Sequence, residues 1–414
     1  MRLIRPVTCR PWTMTDRLDP DQHDWLNAPA TRRVMAALLG AAPNSARFVG
    51  GCVRNALTGH RVDDIDIATT LTPDVAKAAL QAAGIAVHPT GIDHGTLTAV
   101  ADHTPFEVTT LRRDVSTDGR RATVAFTTDW LEDSARRDFR LNAIYADADG
   151  TLFDPQNGVA DALARRIVFI GRPEDRIAED YLRILRFFRF FAFYGGDMPD
   201  PTGLAACAKM ADGMAQLSAE RVWKEIKKLL GAPDPRKSVI AMIESGVMRH
   251  VLGEDRDGAV LSLLMDIDPG SDALSRFAAL IEWNAGQFGR ALKLSNAEKH
   301  RLKFALDTDL AEQVLQAWTT RAGIERLVYV HGNDAVADQI ALMAARPDSP
   351  PDGWGGALAH ARSFAAPVFP LKGADLIKAG LKHGPELGET LKRLEMLWVE
   401  SRFGLSKEEL LALV

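Results

Sequence analysis

FVGGCVRNALTGHRVDDIDIATT, residues 48–70, decides how the chain is read. Its first half, Phe48 to Gly59, has the pattern strand, Gly-Gly turn, helix. Gly50 and Gly51 allow backbone N–H groups to come close to a phosphate, and the helix start behind them adds its positive dipole end. Arg54 lies on the first turn of that helix, where a guanidinium can bind phosphate oxygens. The spacing is neither that of a Walker A loop nor GxGxxG, so ordinary ATPase and dinucleotide-binding readings lose support. About ten residues later, Asp64-Ile65-Asp66 runs into Ile67-Ala68-Thr69, a strand pattern. Residues i and i+2 of a strand face the same way, so the two carboxylates converge. That is costly unless a cation lies between them, and hard divalent cations prefer such oxygen ligands.

Asp-x-Asp alone says little here. It occurs at 19/21, 64/66, 147/149, 255/257, 266/268 and 307/309, and the triplet Asp-Ile-Asp occurs twice. A solvated turn or helix cap explains most such pairs. Asp266-Ile267-Asp268 follows a helical run and precedes Pro269-Gly270, which marks a helix end. Only Asp64 and Asp66 follow a glycine turn and open a strand. A third acid, Glu107, sits in another strand pattern, PFEVTTLR, residues 105–112. It completes the site if the two strands are neighbours and is an exposed strand residue if they are not.

Outward from this segment, the chain is of α+β class. A helix is expected from Pro29 to Gly40. Between 46 and about 170, short apolar runs read as strands: ARFVG, DIDIATT, GIAVH, HGTLTAVA, PFEVTTLR, ATVAFT and RIVFIG, with a helix at PDVAKAALQAAG. After about 175 every periodic segment is helical, beginning with EDYLRILRFFRFFAFYG, and the only clear break is the Pro/Gly-rich stretch 345–356. The expected domains are an N-terminal extension 1–27, a mixed-sheet head 28–170, and helical segments 171–232, 233–345 and 357–414. The 414 residues exceed one core, and 46% apolar with 25% charged residues is ordinary globular composition. No run approaches the roughly 18 apolar residues that span a membrane. The N-terminus lacks the continuous apolar stretch of a secretory signal, so a cytoplasmic protein is expected. Cys9, Cys52 and Cys207 are scattered, which suggests neither a disulfide framework nor a zinc site. The net charge of −5 argues against binding nucleic acid through bulk charge but leaves room for a local basic surface.

Taken in order, these pieces resemble the class II branch of the nucleotidyltransferase superfamily, which includes tRNA CCA-adding enzymes and bacterial poly(A) polymerases. Residues 48–70 are similar to its first motif and ARRDFRLNAIYAD, 135–147, to its second. FDPQNGVADALARRIVFIG resembles the connection to a helical neck, EDYLRILRFFRF the base-reading helix, and SAERVWKEIKKLL a later neck motif. The likeness runs over residues 46–230 and is loose beyond them. It implies a polymerase-β-like catalytic head, a neck at 171–232 that recognises the base, a body, and a tail that contacts tRNA. Two positions depart from the pattern: Asn55 stands where the family usually has Asp, and Arg140 where it usually has Thr.

The chemistry follows from the resemblance. Asp64 and Asp66 would hold two magnesium ions, which activate the RNA 3′-hydroxyl and clamp the α-phosphoryl group during in-line attack, with pyrophosphate leaving. Glu107 would be the third carboxylate. Gly50, Gly51 and Arg54 would face the triphosphate. Arg137, Asp138 and Asn142 would contact sugar and phosphate, and Arg112 follows the Glu107 strand. In EDYLR, Asp180 and Arg183 are three apart, the spacing of one helix face. A carboxylate accepts from an exocyclic amine and a guanidinium donates to a ring nitrogen or carbonyl. That pair accepts cytosine and adenine and rejects uracil and guanine, with Glu179 orienting Arg183. Unpaired buried polar groups can reject a wrong ligand by on the order of 10⁴. Arg186 and Arg189 continue the same helix, where one of them is expected to reach phosphate or RNA, while Phe187, Phe188, Phe190 and Phe191 pack the neck.

Downstream, the Lys and Arg of KEIKKLL, of RKS at 236–238 and of KHRLK at 299–303 either track tRNA phosphates or form solvated helix faces. The ten histidines form no HxxxH or phosphohydrolase-like cluster, so no second hydrolase is expected. The expected partners are the tRNA 3′ end, CTP and ATP, with no membrane. Poly(A) addition, A-only or CC-only addition, and a non-catalytic RNA-binding protein are the competing readings.

Overall fold

The structure is a computed structural model that describes residues 16–91, 95–118, 121–254, 257–281, 292–346, 349 and 353–414. Most of the expected N-terminal extension, with Cys9, and part of the stretch 345–356 lie outside the described residues. The chain divides into two compact units, Met1–Leu217 with Ala232–Gly253, and Ser218–Gly231 with Glu254–Val414. Residues 218–231 thus group with the later helices and 232–253 with the head, which interleaves the expected neck and body segments.

The first unit is built on a seven-stranded mixed sheet of order β3-β4-β5-β2-β1-β8-β9. The strands are β1 (Ala46–Val49), β2 (Ile65–Thr69), β3 (Ala86–Gly91), β4 (Thr96–Ala101), β5 (Thr104–Thr110), β8 (Tyr145–Ala146) and β9 (Leu152–Phe153). Strands β6 (Arg112–Asp118) and β7 (Arg121–Phe126) form a separate hairpin. Only β2 and β5 pair in parallel; every other pair in the large sheet is antiparallel. A parallel pair needs a crossover, here made by α4 (Pro73–Ala82) and the β3–β4 hairpin. Helices α1 (Asp24–Asn27) and α2 (Pro29–Ala41) precede the sheet. Pro29 opens α2 at the position where its missing N–H costs nothing, and Val34, Met35 and Leu38 bury one stripe of it. On the central strand, Ile65, Ile67, Ala68 and Thr69 are buried while Asp66 keeps partial access to solvent. That is the pattern of a core strand whose open end carries polar groups.

One expected strand is absent. RIVFIG, 166–171, forms no ladder and makes a single bridge, Phe139 with Phe169. Its apolar residues Ile167, Phe169 and Ile170 are buried by helix packing instead, with Phe169 stacked on Phe187 at 5.6 Å. Two short strands, β8 and β9, take the sheet edge, and two residues each are too few to leave a periodic signal.

The helical part of this unit contains α3 (Gly51–Thr58), α5 (Trp130–Ala135), α6 (Gly158–Leu163), α7 (Pro173–Glu179), α8 (Leu182–Tyr194), α9 (Pro201–Lys209), α11 (Arg236–Glu244) and α12 (Val247–Leu252). Phe187, Phe188, Phe190 and Phe191 of α8 are all buried, as a core stripe should be. The second unit is helical throughout its described residues. Its α10 (Ala219–Leu230) places Trp223 edge-on to Phe277 at 4.9 Å, and Lys227 donates to Glu298 at 2.8 Å. Arg301 joins Asp338 and Asp272, and Leu376, Leu394, Trp398 and Leu410 close a separate C-terminal core.

Candidate active site

The turn between β1 and α3 is shaped by Gly50, whose φ of 67° and ψ of −114° suit glycine and few other residues. Gly51 opens α3, and its missing side chain leaves room beside Asp66. A Cβ there would stand 3.7 Å from Asp66 Oδ2 and 3.8 Å from Arg54 Nη2. A Cβ on Gly50 would stand 3.7 Å from Arg137 Nη1. The two glycines therefore lie between a carboxylate and two guanidiniums, where an anion with a cation partner has both to meet.

Asp66 is directly abreast of Glu107 in the parallel β2–β5 register. Asp64 comes just before β2, on the face of Asp66 by alternation. Burial, with Glu107 and then Asp64 adding repulsion against the pull of Arg137 and Arg54, pushes the Asp66 carboxyl up to about 6. Among the described residues, no three His, Cys, Asp or Glu side chains are gathered as a ready-made cage. Magnesium does not need one: it keeps several waters and takes one or two carboxylates plus substrate phosphates. Asp64 and Asp66 are two oxygen donors of the right hardness, and the repulsion at Asp66 is what a cation would relieve.

The remaining head residues form one connected lattice. Arg54, buried at 8% exposure, donates to Asn142 Oδ1 at 2.6 Å. Asn142 donates in turn to Asp138 Oδ1 at 2.9 Å, and Asp138 Oδ2 accepts from Arg186 of α8 at 2.7 Å. Burial alone would raise the Asp138 carboxyl, but Arg186, Asn142 and the Phe139 amide hold it below its ordinary value. Arg137 is gripped by Asp133, at 3.0 Å, beneath Tyr145, whose hydroxyl donates to the same carboxylate at 2.7 Å. The Arg112 amide also reaches Asp133, at 3.3 Å. Asp138 and Asn142 are thus internal struts, and Arg137 presents its outer edge to the glycine turn. The Arg140–Asn142 turn sits against Gly158, where a Cβ would lie 2.1 Å from the Arg140 carbonyl, so only glycine fits. The Arg140 side chain itself turns away to Asp161 at 3.6 Å.

The expected single helix through EDYLR is broken, which corrects the shared-face reading of Asp180 and Arg183. Asp180 ends α7 with extended backbone (φ −158°, ψ 108°), and α8 starts two residues later. The break follows from the Asp180 side chain, which caps the new helix by accepting from the Leu182 amide at 3.1 Å. Glu179 accepts from both Arg176, at 2.6 Å, and Arg183. Arg176 also reaches the Arg137 carbonyl at 2.9 Å and so ties the break to the RRD segment.

Asp133, Tyr145 and Arg176 hold the predicted residues in place without being among the site positions read from the sequence. An Asp four residues ahead of Arg137 was the only local hint. Of the downstream basic residues, Lys227, Arg236, Lys237 and Arg301 are engaged with Glu298, Asp234, Asp197 and Asp338. Lys224, Lys228, Lys299 and Lys303 are exposed on helices.

The chain matches the poly A polymerase head domain over residues 46–168 and the probable RNA- and SrmB-binding site of polymerase A over residues 199–254. It is 35% identical over 379 residues to the mitochondrial CCA tRNA nucleotidyltransferase 1 of Mus musculus, covering 89% of this chain and 86% of that protein. It is 30% identical to the CCA-adding enzyme of Limosilactobacillus fermentum, covering 88% of this chain and 91% of the relative. Its structure resembles that of the Bacillus stearothermophilus CCA-adding enzyme in complex with CTP, with a TM-score of 0.73 and 27% identity over 93% of this chain and 96% of the other.

Proposed function

Because the chain belongs to the class II nucleotidyltransferase family of tRNA CCA-adding enzymes and bacterial poly(A) polymerases, we propose that it adds C, C and A to the 3′ end of tRNA from CTP and ATP, releasing pyrophosphate. The observation that carries the chemistry is the meeting of Asp66, its register partner Glu107 and the Gly50–Gly51 turn beneath Arg54. The likeness to CCA enzymes over most of the chain carries the choice of product.

The family uses a divalent cation, and magnesium is the one proposed here, held by Asp64 and Asp66. When bound, it supplies charge neutralisation at the α-phosphoryl group and lowers the pKa of the attacking 3′-hydroxyl. The protein's own residues do the positioning. Gly50 and Gly51 open the floor to the phosphates, Arg54 and Arg137 meet their charge, and Glu107 keeps negative charge beside Asp66. Asp138 and Asn142 brace Arg54 against Arg186, and Arg112 braces Asp133. Arg183 on the first turn of α8, oriented by Glu179, would donate to the base, and Asp180 at the break before α8 would accept from it, as cytosine and adenine require. The exposed Lys224, Lys228, Lys299 and Lys303, and the helices of 357–414, are the proposed tRNA contacts. No helix among the described residues is long and apolar enough to cross a membrane. The proposed compartment is the cytoplasm, which the composition fits; the mouse relative is mitochondrial by name.

The test is to give the protein a tRNA lacking its 3′ end, magnesium, and each triphosphate singly and together. Ordered incorporation of C, C and then A is expected. Long A tails on any RNA would replace this reading with poly(A) addition, and no incorporation would leave only RNA binding.

A further inference from the structure

We propose that Asn55 and Tyr194 are positioning residues that present the Arg54 guanidinium, with its charge left uncompensated, to the phosphates of the incoming nucleotide; this rests on the nucleotidyl-transfer reading above. Every partner of Arg54 is neutral. Nη1 donates to Asn142 Oδ1 at 2.6 Å, and Nη2 donates to Asn55 Oδ1 at 3.0 Å and to the Tyr194 hydroxyl at 2.9 Å. The guanidinium lies over the Tyr194 ring at 4.3 Å and the Phe190 ring at 5.2 Å. Among the described residues it joins no ion pair, and its Nε is buried with no hydrogen-bond partner. Of five N–H donors, three are used, which leaves Nε–H and one Nη1–H. A buried cation with spare donors and no directly paired carboxylate is costly until an anion completes it, and Asp66 acts on it only at a distance. A Cβ on Gly51 would stand 3.8 Å from Arg54 Nη2 and 3.7 Å from Asp66 Oδ2, so the glycine leaves open the space in which a phosphate would meet the guanidinium's charge and turn toward its spare Nη1–H. A phosphate chain bridging the guanidinium and the metal-holding carboxylates has to cross it.

Asn55 serves this arrangement because it is an amide. Its oxygen accepts from Arg54 and, at 3.0 Å, from the Tyr194 hydroxyl, while its nitrogen donates to the Arg61 carbonyl at 2.8 Å, in the loop that delivers Asp64. A carboxylate at 55, usual in the family, would neutralise Arg54 internally and face the Arg61 carbonyl without a proton. Tyr194 is the last residue of α8, on the same helical face as Arg186 and Phe190. His60 meets the same ring edge-on at 4.9 Å, so the phenol is held by head residues as well as by its own helix.

The test is steady-state nucleotide addition to tRNA lacking its 3′ end, with inorganic tripolyphosphate as a competing probe. Tyr194→Phe keeps the ring and removes the hydroxyl. It should raise KM for CTP and for ATP by the same factor, about three- to ten-fold, leaving kcat within about two-fold. KM for tRNA should be unchanged, and the inhibition constant of tripolyphosphate should rise by the nucleotide factor. Asn55→Asp should do the same, and in an Arg54→Gln background neither change should add to the defect. Unchanged triphosphate KM in Tyr194→Phe, a loss confined to kcat, or effects that persist without Arg54 would overturn the proposal. A wild-type protein that incorporates no nucleotide would overturn the underlying reading, and the proposal with it.

Discussion

Glu107 stands abreast of Asp66 across the one parallel strand pair of the large sheet. Residues in register on neighbouring strands share a face, so the two carboxylates press on one another, and burial together with this repulsion raises the Asp66 carboxyl. The arrangement is unfavourable for the empty fold and favourable for holding a cation. Glu107→Gln relieves part of the repulsion. Nucleotide incorporation at fixed magnesium should fall at least about ten-fold, with the magnesium requirement shifted to higher concentration. An unchanged magnesium dependence would reduce Glu107 to an exposed strand residue.

The helix break at Asp180 refines how base selection is tested. Asp180→Ala removes both the carboxylate and the cap on Leu182, and the cap alone is worth about 1 kcal/mol. Asp180→Asn keeps an oxygen to cap with and changes the base contact. We expect it to fold normally while incorporation of UTP and GTP relative to CTP rises by on the order of 10². Unaltered selectivity in this variant would exclude Asp180 from base reading.

Asp133 is buried at 1% exposure and ties together Arg136, Arg137 and Tyr145. Burial works against its ionisation, but the two arginines and the phenol hydrogen bond outweigh it and bring the carboxyl to about 2. Its folded pKa is depressed, so the stability it contributes is present above the unfolded value of about 4 and is lost as pH falls toward 2. Asp133→Asn should cost about 2–4 kcal/mol in urea unfolding at pH 7. The difference from wild type should narrow below pH 4; a gap that stays constant down to pH 3 would contradict this account.

Much of the head was legible because its signals are local. The Ala46–Val49 strand, the Gly50 turn, the helix to Thr58 and the Ile65–Thr69 strand follow one another in sequence as in space. Asp64 and Asp66 stood out from the other Asp-x-Asp pairs by that neighbourhood; Asp266 and Asp268 do lie at a helix end, Asp268 paired with Arg362. The legible part ended where long-range contacts decide. RIVFIG has strand-like composition, but the phenylalanine stripe of α8 takes its apolar side chains. The break at Asp180 had a readable sign, an Asp before an apolar run, that the strong helical period beyond it masked. The contact of Tyr194 with Arg54, 140 residues apart, has no sequence signature.

The proposed role of Asp64 and Asp66 is to hold the catalytic cation. Its most direct measurement is the single-turnover rate of CTP addition to tRNA lacking its 3′ end, compared between wild type and Asp66→Asn, with melting temperature recorded in metal-free buffer. The variant's rate should be lower by at least about 10³, with a melting temperature equal to or above wild type, since the substitution removes a charge that burial disfavours and that Glu107 and Asp64 repel. Normal turnover by Asp66→Asn would contradict it.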